Sequence, residues 1–214
     1  MHKADTTCSL PQKWTRVSLA KMRNGRACSL DKIPVELYKF CPECKQTLRE
    51  ILQKIWVTEE VPVTFARATF VMLYKHKGSP NDPTKYRCIG LLNHAYKVLS
   101  QCMLARLEVE TKGFLSEWQA GFHKKRGCRD NVLVLRTIYD DMLEQGKKLY
   151  ATFIDYNAAF DSISHKFLNE ALREAGASDK SRAMFRSMYK TASATVKVAD
   201  VDGGMIMSNP FAID

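Results

Sequence analysis

The chain has 214 residues, enough for one large domain or two small ones, and 45% of them are hydrophobic, which excludes wholesale disorder. Its 33 basic and 23 acidic side chains give a formal net charge of +10. This excess suggests a polyanionic partner, most often nucleic acid, although a generally basic solvated surface explains the charge equally well. No apolar run approaches the ~20 residues of a bilayer span, so no membrane partner is expected.

The first predicted elements are two helices within Ser29–Trp56, because apolar residues recur there at helical spacing while Pro34 and Pro42 interrupt the pattern. Cys41 and Cys44 form a CPEC motif, whose spacing would suit half of a zinc site. No second CxxC or HxxxH pair completes four ligands, so both are interpreted as ordinary residues near a helix. Seven scattered cysteines fit a reducing, intracellular location in the nucleus or cytoplasm.

Strands and helices then follow without strict alternation, which predicts an α+β fold. Ala68–Lys75 is predicted to be a strand, and the basic, turn-rich segment HKGSPNDPTKY follows it. The later predicted elements are helices at Leu91–Glu110 and Asp130–Gly146, a strand at Leu149–Asp155, a helix at Ser162–Gly176 and a hairpin within Ser193–Met207.

Four aspartates between residues 138 and 161 are candidates for metal chemistry. Asp140 and Asp141 follow Tyr139, but their helical spacing from the apolar residues predicts a solvated helix face, with Arg136 placed to pair with Asp140. Helix and strand rises also separate Asp141 from Asp155 by about 15 Å, too far to share a metal ion. The YDD motif is therefore not expected to be catalytic.

Asp155 closes the apolar run LYATFID. A carboxylate in such surroundings needs a cation or hydrogen bonds to compensate its desolvation, and Mg²⁺ favours carboxylate oxygens. A strand-end aspartate that only accepts backbone hydrogen bonds is an equal alternative. Asp161 is a candidate helix N-cap, in competition with Ser162 and Ser164.

The sequence contains three further motifs, and their combined order and spacing are more specific than any one motif alone. They are YR.I.LL....K within YKHKGSPNDPTKYRCIGLLNHAYKVLSQCMLARL, Q.GF...R...D within EWQAGFHKKRGCRDNVLVLRTI, and FID...AFD within FIDYNAAFDSISHKFL. Together they resemble the reverse transcriptase domain of non-LTR (LINE-type) retrotransposons. With the upstream segment NGRACSLDKIPVELYK, the resemblance covers nearly all of Met22 to Asp214.

The resemblance implies a right-hand polymerase fold, with an N-terminal extension at residues 1–21, a fingers-like region at 22–148 and a partial palm at 149–214. It implies RNA-directed DNA polymerase activity by two-metal phosphoryl transfer, with Mg²⁺ as cofactor. The implied partners are an RNA template, a DNA primer and deoxynucleoside triphosphates.

The resemblance also assigns residue roles. Asp155 matches the first metal-binding carboxylate, and Tyr156 would offer its backbone carbonyl to a metal and its amide to the triphosphate. Phe160 matches the aromatic gate beneath the incoming sugar. Arg87 matches the fingers arginine on the triphosphate, with Lys75 or Lys85 as its companion. The matches to the template path are Gln119, Gly121, Phe122 and Arg126.

Two elements of the family are not identifiable before the chain stops at SNPFAID: a Gly-x-x-x-Gln-Gly loop and an aromatic-x-Asp-Asp hairpin. Two-metal transfer needs carboxylates that hold both ions, so the 214 residues alone are expected to be an inactive domain fragment. A non-catalytic RNA- or DNA-binding remnant is the alternative. A phosphatase with Asp155 as nucleophile ranks low, because Asn157 occupies the place of its general acid.

Overall fold

The computed structural model describes residues 10, 12–156, 159–160, 162–199 and 205–213. Helices accompany a mixed sheet, which confirms the α+β prediction. The helices are α1 (Gln12–Lys21), α2 (Val35–Phe40), α3 (Pro42–Thr58), α4 (His94–Glu110), α5 (Cys128–Glu144), α6 (His165–Glu174) and α7 (Asp179–Lys190). The strands are β1 (Arg67–Tyr74), β2 (Tyr86–Leu92), β3 (Ser193–Ala199), β4 (Met205–Met207) and β5 (Phe211–Ala212).

The sheet is built around β1 and β3, which are far apart in sequence and run parallel. β1 pairs with β2 as an antiparallel hairpin, from Ala68 opposite Leu92 to Tyr74 opposite Tyr86. β3 lies parallel to the other side of β1, and β4 and β5 pair antiparallel with β3. The predicted strand at Ala68–Lys75 and the predicted C-terminal hairpin are therefore confirmed.

The sheet is one part of a compact unit that comprises Met1–Glu110 and Ser164–Asp214. Its core is formed mainly by α3, α4 and α7, whose apolar side chains lie at helical spacing and pack together. The fully buried members include Leu48, Leu52, Val98, Leu99 and Met184. Pro42 begins α3 at a position that lacks a helical N–H partner, as predicted from its interruption of the pattern.

Trp56 joins three helices of this unit. Its ring is 1% exposed, with the Arg106 guanidinium 4.8 Å and the Lys180 ammonium 5.0 Å from its centroid. Arg106 Nε lies 2.7 Å from Glu110 Oε1, and the Ser178 backbone N–H donates to Glu110 Oε2 at 3.0 Å. Because α3, α4 and α7 each contribute to this network, it holds them in a fixed arrangement.

The second compact unit comprises Thr111–Ile163. α5 has no buried residue, and its apolar side chains are exposed on the helix surface. The strand predicted at Leu149–Asp155 is wrong: these residues have no regular secondary structure, and Phe153 and Ile154 are exposed. A β-strand needs a neighbour for its backbone hydrogen bonds, and no strand of the described chain pairs with this segment.

α7 was not predicted from the sequence, although Met184 and Met188 recur at helical spacing and Ser178 accepts a capping hydrogen bond from the Ser181 N–H. At the start of α6 the competition is settled in favour of Ser164, whose Oγ accepts the Phe167 N–H at 3.2 Å. Asp161 lies outside the described residues. None of the helices in the described chain has the length and apolar composition of a membrane span.

The Glu110 network leads to a prediction about pH. Burial alone would raise the pKa of Glu110, but hydrogen bonds from Ser178 and Ser181 together with the Arg106 charge lower it below the usual range. A lowered carboxylate pKa stabilises the fold above the unfolded-state pKa of about 4.3, and that contribution is lost as pH falls through the folded-state pKa. Glu110→Gln should therefore reduce the free energy of unfolding at pH 7 by about 1–3 kcal/mol.

Urea unfolding at pH 7 and pH 3, followed by circular dichroism, measures this difference. The difference should be smaller at pH 3 than at pH 7, because the contribution of the ionised Glu110 begins to be lost once the pH falls below its unfolded-state pKa. Glu174→Gln is the control, because Glu174 is an exposed carboxylate of the same unit. Equal pH dependence in the two variants would contradict the account.

Candidate nucleotide and nucleic-acid site

The loop between β1 and β2 is basic and is held by aromatic side chains at its base. The rings of Tyr74 and Tyr86 lie 5.3 Å apart across the hairpin. The Tyr86 hydroxyl donates to the Pro80 carbonyl at 2.9 Å, and the Tyr74 hydroxyl donates to the Gly78 carbonyl. These bonds fix the loop against the ends of both strands.

The three basic residues predicted to hold a triphosphate differ in whether their charged groups already have partners within the protein. Lys75 Nζ donates to the Thr84 carbonyl at 3.1 Å, and Lys85 Nζ lies 3.6 Å from Asp82 Oδ2. Arg87 is exposed and stands opposite Leu73 in the hairpin. Its guanidinium has no hydrogen-bond or ion-pair partner within the described residues. Its guanidinium is therefore available to a phosphate.

The Lys85–Asp82 pair is weak as well as long, because both side chains are well exposed. The Asp82 carboxylate accepts hydrogen bonds chiefly from Thr84, whose hydroxyl and backbone N–H both donate to its Oδ1. These two bonds, with a smaller effect from Lys85, lower the pKa of Asp82. The Lys85 ammonium can therefore leave Asp82 at a lower free-energy cost than the Lys75 ammonium can leave the Thr84 carbonyl.

The predicted template residues Gln119, Gly121, Phe122 and Arg126 all lie in the turn-rich segment before α5, within the second unit. The Gln119 side-chain amide donates to the Gly121 carbonyl at 3.3 Å. Phe122 has a φ of 59°, in the left-handed region that bulky residues rarely adopt. Its side chain is 92% exposed, so this backbone conformation presents a bare aromatic ring to solvent.

Asp155, Tyr156 and Phe160 belong to the same unit and are exposed. The structure brings Phe160 against Phe122, with ring centroids 6.2 Å apart and planes at 87°. The predicted burial of Asp155 is wrong, because its carboxylate is in contact with solvent. Desolvation therefore does not call for a compensating cation at this residue. The assignment of Asp155 therefore depends on its place in the FID...AFD motif.

A divalent ion takes hard oxygen ligands, and Asp155 offers one carboxylate of that type without obstruction. In the part of the chain that is described, no three His, Cys, Asp or Glu side chains come together as a ligand set. Asp155 thus fits one position of a metal site and does not form a complete site with its described neighbours.

The YDD aspartates are engaged as the sequence predicts. Arg136 Nε lies 2.8 Å from Asp140 Oδ2 on the surface of α5. Asp141 accepts a hydrogen bond of 3.0 Å from the Gln145 side-chain amide. Each partner is four residues away in sequence, Arg136 within α5 and Gln145 as its C-cap, so both aspartates have local partners on the helix surface.

The sequence reasoning missed two features of these sites. One is the tyrosine pair at the base of the basic loop, for which the signal was the position of Tyr74 and Tyr86 at facing strand ends. The other is the contact between Phe122 and Phe160. No local pattern predicts that contact, because the whole of α5 and its flanking segments separate the two residues in sequence.

Comparisons with known proteins agree with the motifs. The family model described as reverse transcriptase (RNA-dependent DNA polymerase) matches residues 75–208. The chain is 24% identical, over 85% of its length, to the transposon TX1 uncharacterized 149 kDa protein of Xenopus laevis. It is 21% identical, over 90% of its length, to the Retrovirus-related Pol polyprotein from type-1 retrotransposable element R2 of Nasonia vitripennis.

A similar R2 Pol polyprotein, from Popillia japonica, is 25% identical over 64% of the chain. The chain spans 14% of the length of the Xenopus protein and 19% of each insect protein. Reverse transcriptases as a family generally use divalent metal ions, in agreement with the carboxylate that the FID...AFD motif supplies.

The free guanidinium of Arg87 leads to a prediction about nucleic-acid binding. If it contacts phosphate, Arg87→Ala should weaken binding of an RNA–DNA primer–template hybrid and reduce the slope of log Kd against log salt concentration by about 1. Fluorescence anisotropy at several salt concentrations measures the slope.

Arg173→Ala is the matched control, because Arg173 is also exposed but is paired with Glu170 at 2.9 Å. It should leave the slope unchanged. A slope that is flat for the wild-type chain, or reduced equally by both variants, would mean that Arg87 is an ordinary surface charge.

Proposed function

Because the chain belongs to the reverse transcriptase (RNA-dependent DNA polymerase) family, we propose that it is the polymerase domain of a non-LTR retrotransposon protein. It would add deoxynucleotides to the 3′ end of a DNA primer on an RNA template. The observation that carries the proposal is the family match over residues 75–208, which takes in the three motifs with Arg87 and Asp155 in order. The similarity to the TX1 transposon protein and the R2 Pol polyproteins supports the element class.

The proposed architecture is the right-hand polymerase, with fingers at residues 22–148, the beginning of a palm at 149–214, and residues 1–21 as an extension. The antiparallel hairpin of β1 and β2, with a basic loop at its end, supports the fingers assignment. The division into these regions is functional, and it differs in kind from the two compact units.

In this proposal Arg87 binds the triphosphate of the incoming nucleotide. Its planar guanidinium can donate two parallel hydrogen bonds to phosphate oxygens. Lys85 is the companion lysine, because its exposed ion pair at 3.6 Å breaks at little cost, whereas Lys75 holds the loop through the Thr84 carbonyl. A basic pair at one strand end would then neutralise much of the nucleotide charge.

Asp155 would hold the divalent ions, Mg²⁺ in this proposal, with the backbone carbonyl of Tyr156 as a further ligand. Bound ions of this kind lower the pKa of the attacking hydroxyl and neutralise charge on the phosphoryl group. The exposure of Asp155 supports this role, since its carboxylate is not occupied by a described basic side chain. The Tyr156 amide would donate to the triphosphate.

Phe160 would lie beneath the sugar of the incoming nucleotide and exclude a 2′-hydroxyl. Its side chain is 79% exposed, which argues against the alternative that it is a core residue. Phe122 packs edge-on against it and would limit the positions the ring can take. A ring held at that place fills the space a ribose hydroxyl requires.

Gln119, Gly121, Phe122 and Arg126 would line the path of the RNA template. An exposed aromatic ring beside basic side chains is the usual means of binding unpaired nucleotides, since every base stacks and every phosphate is anionic. Phe122 supplies the ring and Arg126 the charge. The comparisons do not favour a non-catalytic binding remnant, because the R2 relatives are Pol polyproteins.

The assignment of Asp155 over the YDD aspartates is tested by two matched substitutions. The assay polypeptide joins this chain to the C-terminal remainder of an R2 Pol polyprotein, because two-metal transfer needs more carboxylates than Asp155 alone. Asp155→Asn should reduce RNA-templated incorporation by at least about 10³-fold, several kcal/mol of transition-state stabilisation. Asp140→Asn should leave it within about twofold, because exposed helix ion pairs contribute little.

Circular dichroism of both variants checks that the fold is intact. We expect the chain by itself to give no incorporation. Full activity in Asp155→Asn, or equal loss in both variants, would show that the metal-binding aspartate has been assigned wrongly.

A further inference from the structure

Two thiols are in contact at the junction of α2 and α3, in the sequence CPEC. Cys41 Sγ lies 3.0 Å from Cys44 Sγ, and both cysteines are free and half-buried. Sequence reasoning treats them as ordinary residues near a helix. The fold instead brings the two sulfur atoms to within about 1 Å of the length of a disulfide bond.

The helix start makes Cys41 the nucleophile of the pair. Cys41 is the N-cap of the 17-residue helix α3, and the Cys44 backbone N–H donates to its Sγ at 3.3 Å. A thiolate at this place gains that hydrogen bond and the positive end of the helix dipole. The Cys41 thiol donates to Glu43 Oε2 at 3.3 Å, and its proton passes to solvent when Cys41 reacts.

The Cys44 thiol is suited to react second, after Cys41. The hydrogen bond with Cys41, then burial, raise the pKa of the Cys44 thiol. It therefore keeps its proton while Cys41 reacts, and it is in position to attack the same sulfur afterwards.

We propose that Cys41 and Cys44 form a thiol-modification site that exchanges with small-molecule disulfides of the glutathione class and closes to an intramolecular disulfide. The Cys41 thiolate attacks one sulfur of glutathione disulfide, its S–S bond breaks, and one glutathione leaves as a thiolate. Cys44 loses its proton to solvent and attacks Cys41 Sγ, and the second glutathione leaves. The protein gives up two protons and two electrons, which reduce one glutathione disulfide to two glutathione molecules.

Three other thiols of the described chain, those of Cys28, Cys102 and Cys128, lack this arrangement. Cys28 Sγ has a backbone oxygen, the Arg26 carbonyl at 4.0 Å, as its neighbour. Cys128 is exposed at the start of α5, and Cys102 is buried beside Ser18, where burial raises the pKa of its thiol. None of them contacts a second cysteine, so the predicted reactivity is specific to the CPEC pair.

The test equilibrates the reduced chain in graded mixtures of reduced and oxidised glutathione, then quenches with acid and alkylates the remaining thiols. Trypsin releases both cysteines in one peptide, Phe40–Lys45. This peptide should become lighter by two hydrogen atoms and resist alkylation. Because its second thiol is supplied intramolecularly, half-oxidation should need about tenfold less oxidised glutathione than adduct formation at Cys128.

Cys41→Ser separates this chemistry from folding, because serine is a preferred N-cap and its oxygen can accept the same N–H. In that variant the disulfide should be absent, and Cys44 should form glutathione adducts only at the ratio that modifies Cys128. Cys128→Ser should retain the wild-type response. The proposal is overturned if the wild-type Phe40–Lys45 peptide carries only glutathione adducts, or if its cysteines oxidise in parallel with Cys128.

Discussion

The buried ring of Trp56, with a cation on each of two helices, is the interaction on which the larger unit depends. Arg106 and Lys180 both lie within about 5 Å of the ring, and Glu110 neutralises Arg106 while it caps the start of α7 through Ser178. α3 precedes β1 and α7 precedes β3 in the chain. By fixing these helices, the network sets where the two central parallel strands begin.

That arrangement gives the basic hairpin its position. β1 is central in the sheet, with β3 on one side and β2 on the other, so β2 lies at the edge and extends into the basic loop. Arg87 stands on this edge strand with its guanidinium free, while Lys75 and the two tyrosines hold the loop. The paired backbone fixes where Arg87 is anchored, and its unpartnered guanidinium is available to donate to phosphate oxygens.

The unit at Thr111–Ile163 has the opposite character, since its apolar and aromatic residues are largely exposed. Phe122 and Phe160 contact each other but cover little of each other's surface, and Asp155 is open to solvent. Such exposed rings beside basic side chains are what binding to unpaired bases requires. In the proposed function this unit contributes the template path and the sugar gate.

Local patterns predicted much of the fold. The periodicity of α3, α4 and α5, the strand at Ala68–Lys75 and the Arg136–Asp140 pair are properties of neighbouring residues, and all were predicted from sequence. The strand at Leu149–Asp155 was predicted wrongly because its apolar composition says nothing of whether a partner strand is present. The Trp56 network and the Phe122–Phe160 contact join residues distant in sequence, which a single sequence does not connect.

In the proposed function, the segment beginning at Asp155 receives the incoming deoxynucleotide, with Phe160 beneath its sugar. The most direct measurement is the ratio of kcat/KM for a ribonucleotide to that for the matching deoxyribonucleotide, in the chain joined to an R2 Pol remainder. Phe160→Ala should raise this ratio at least about tenfold, or 1.4 kcal/mol. Phe153→Ala, an equally exposed aromatic of the same unit, should not change it. An unchanged ratio in Phe160→Ala would contradict the account.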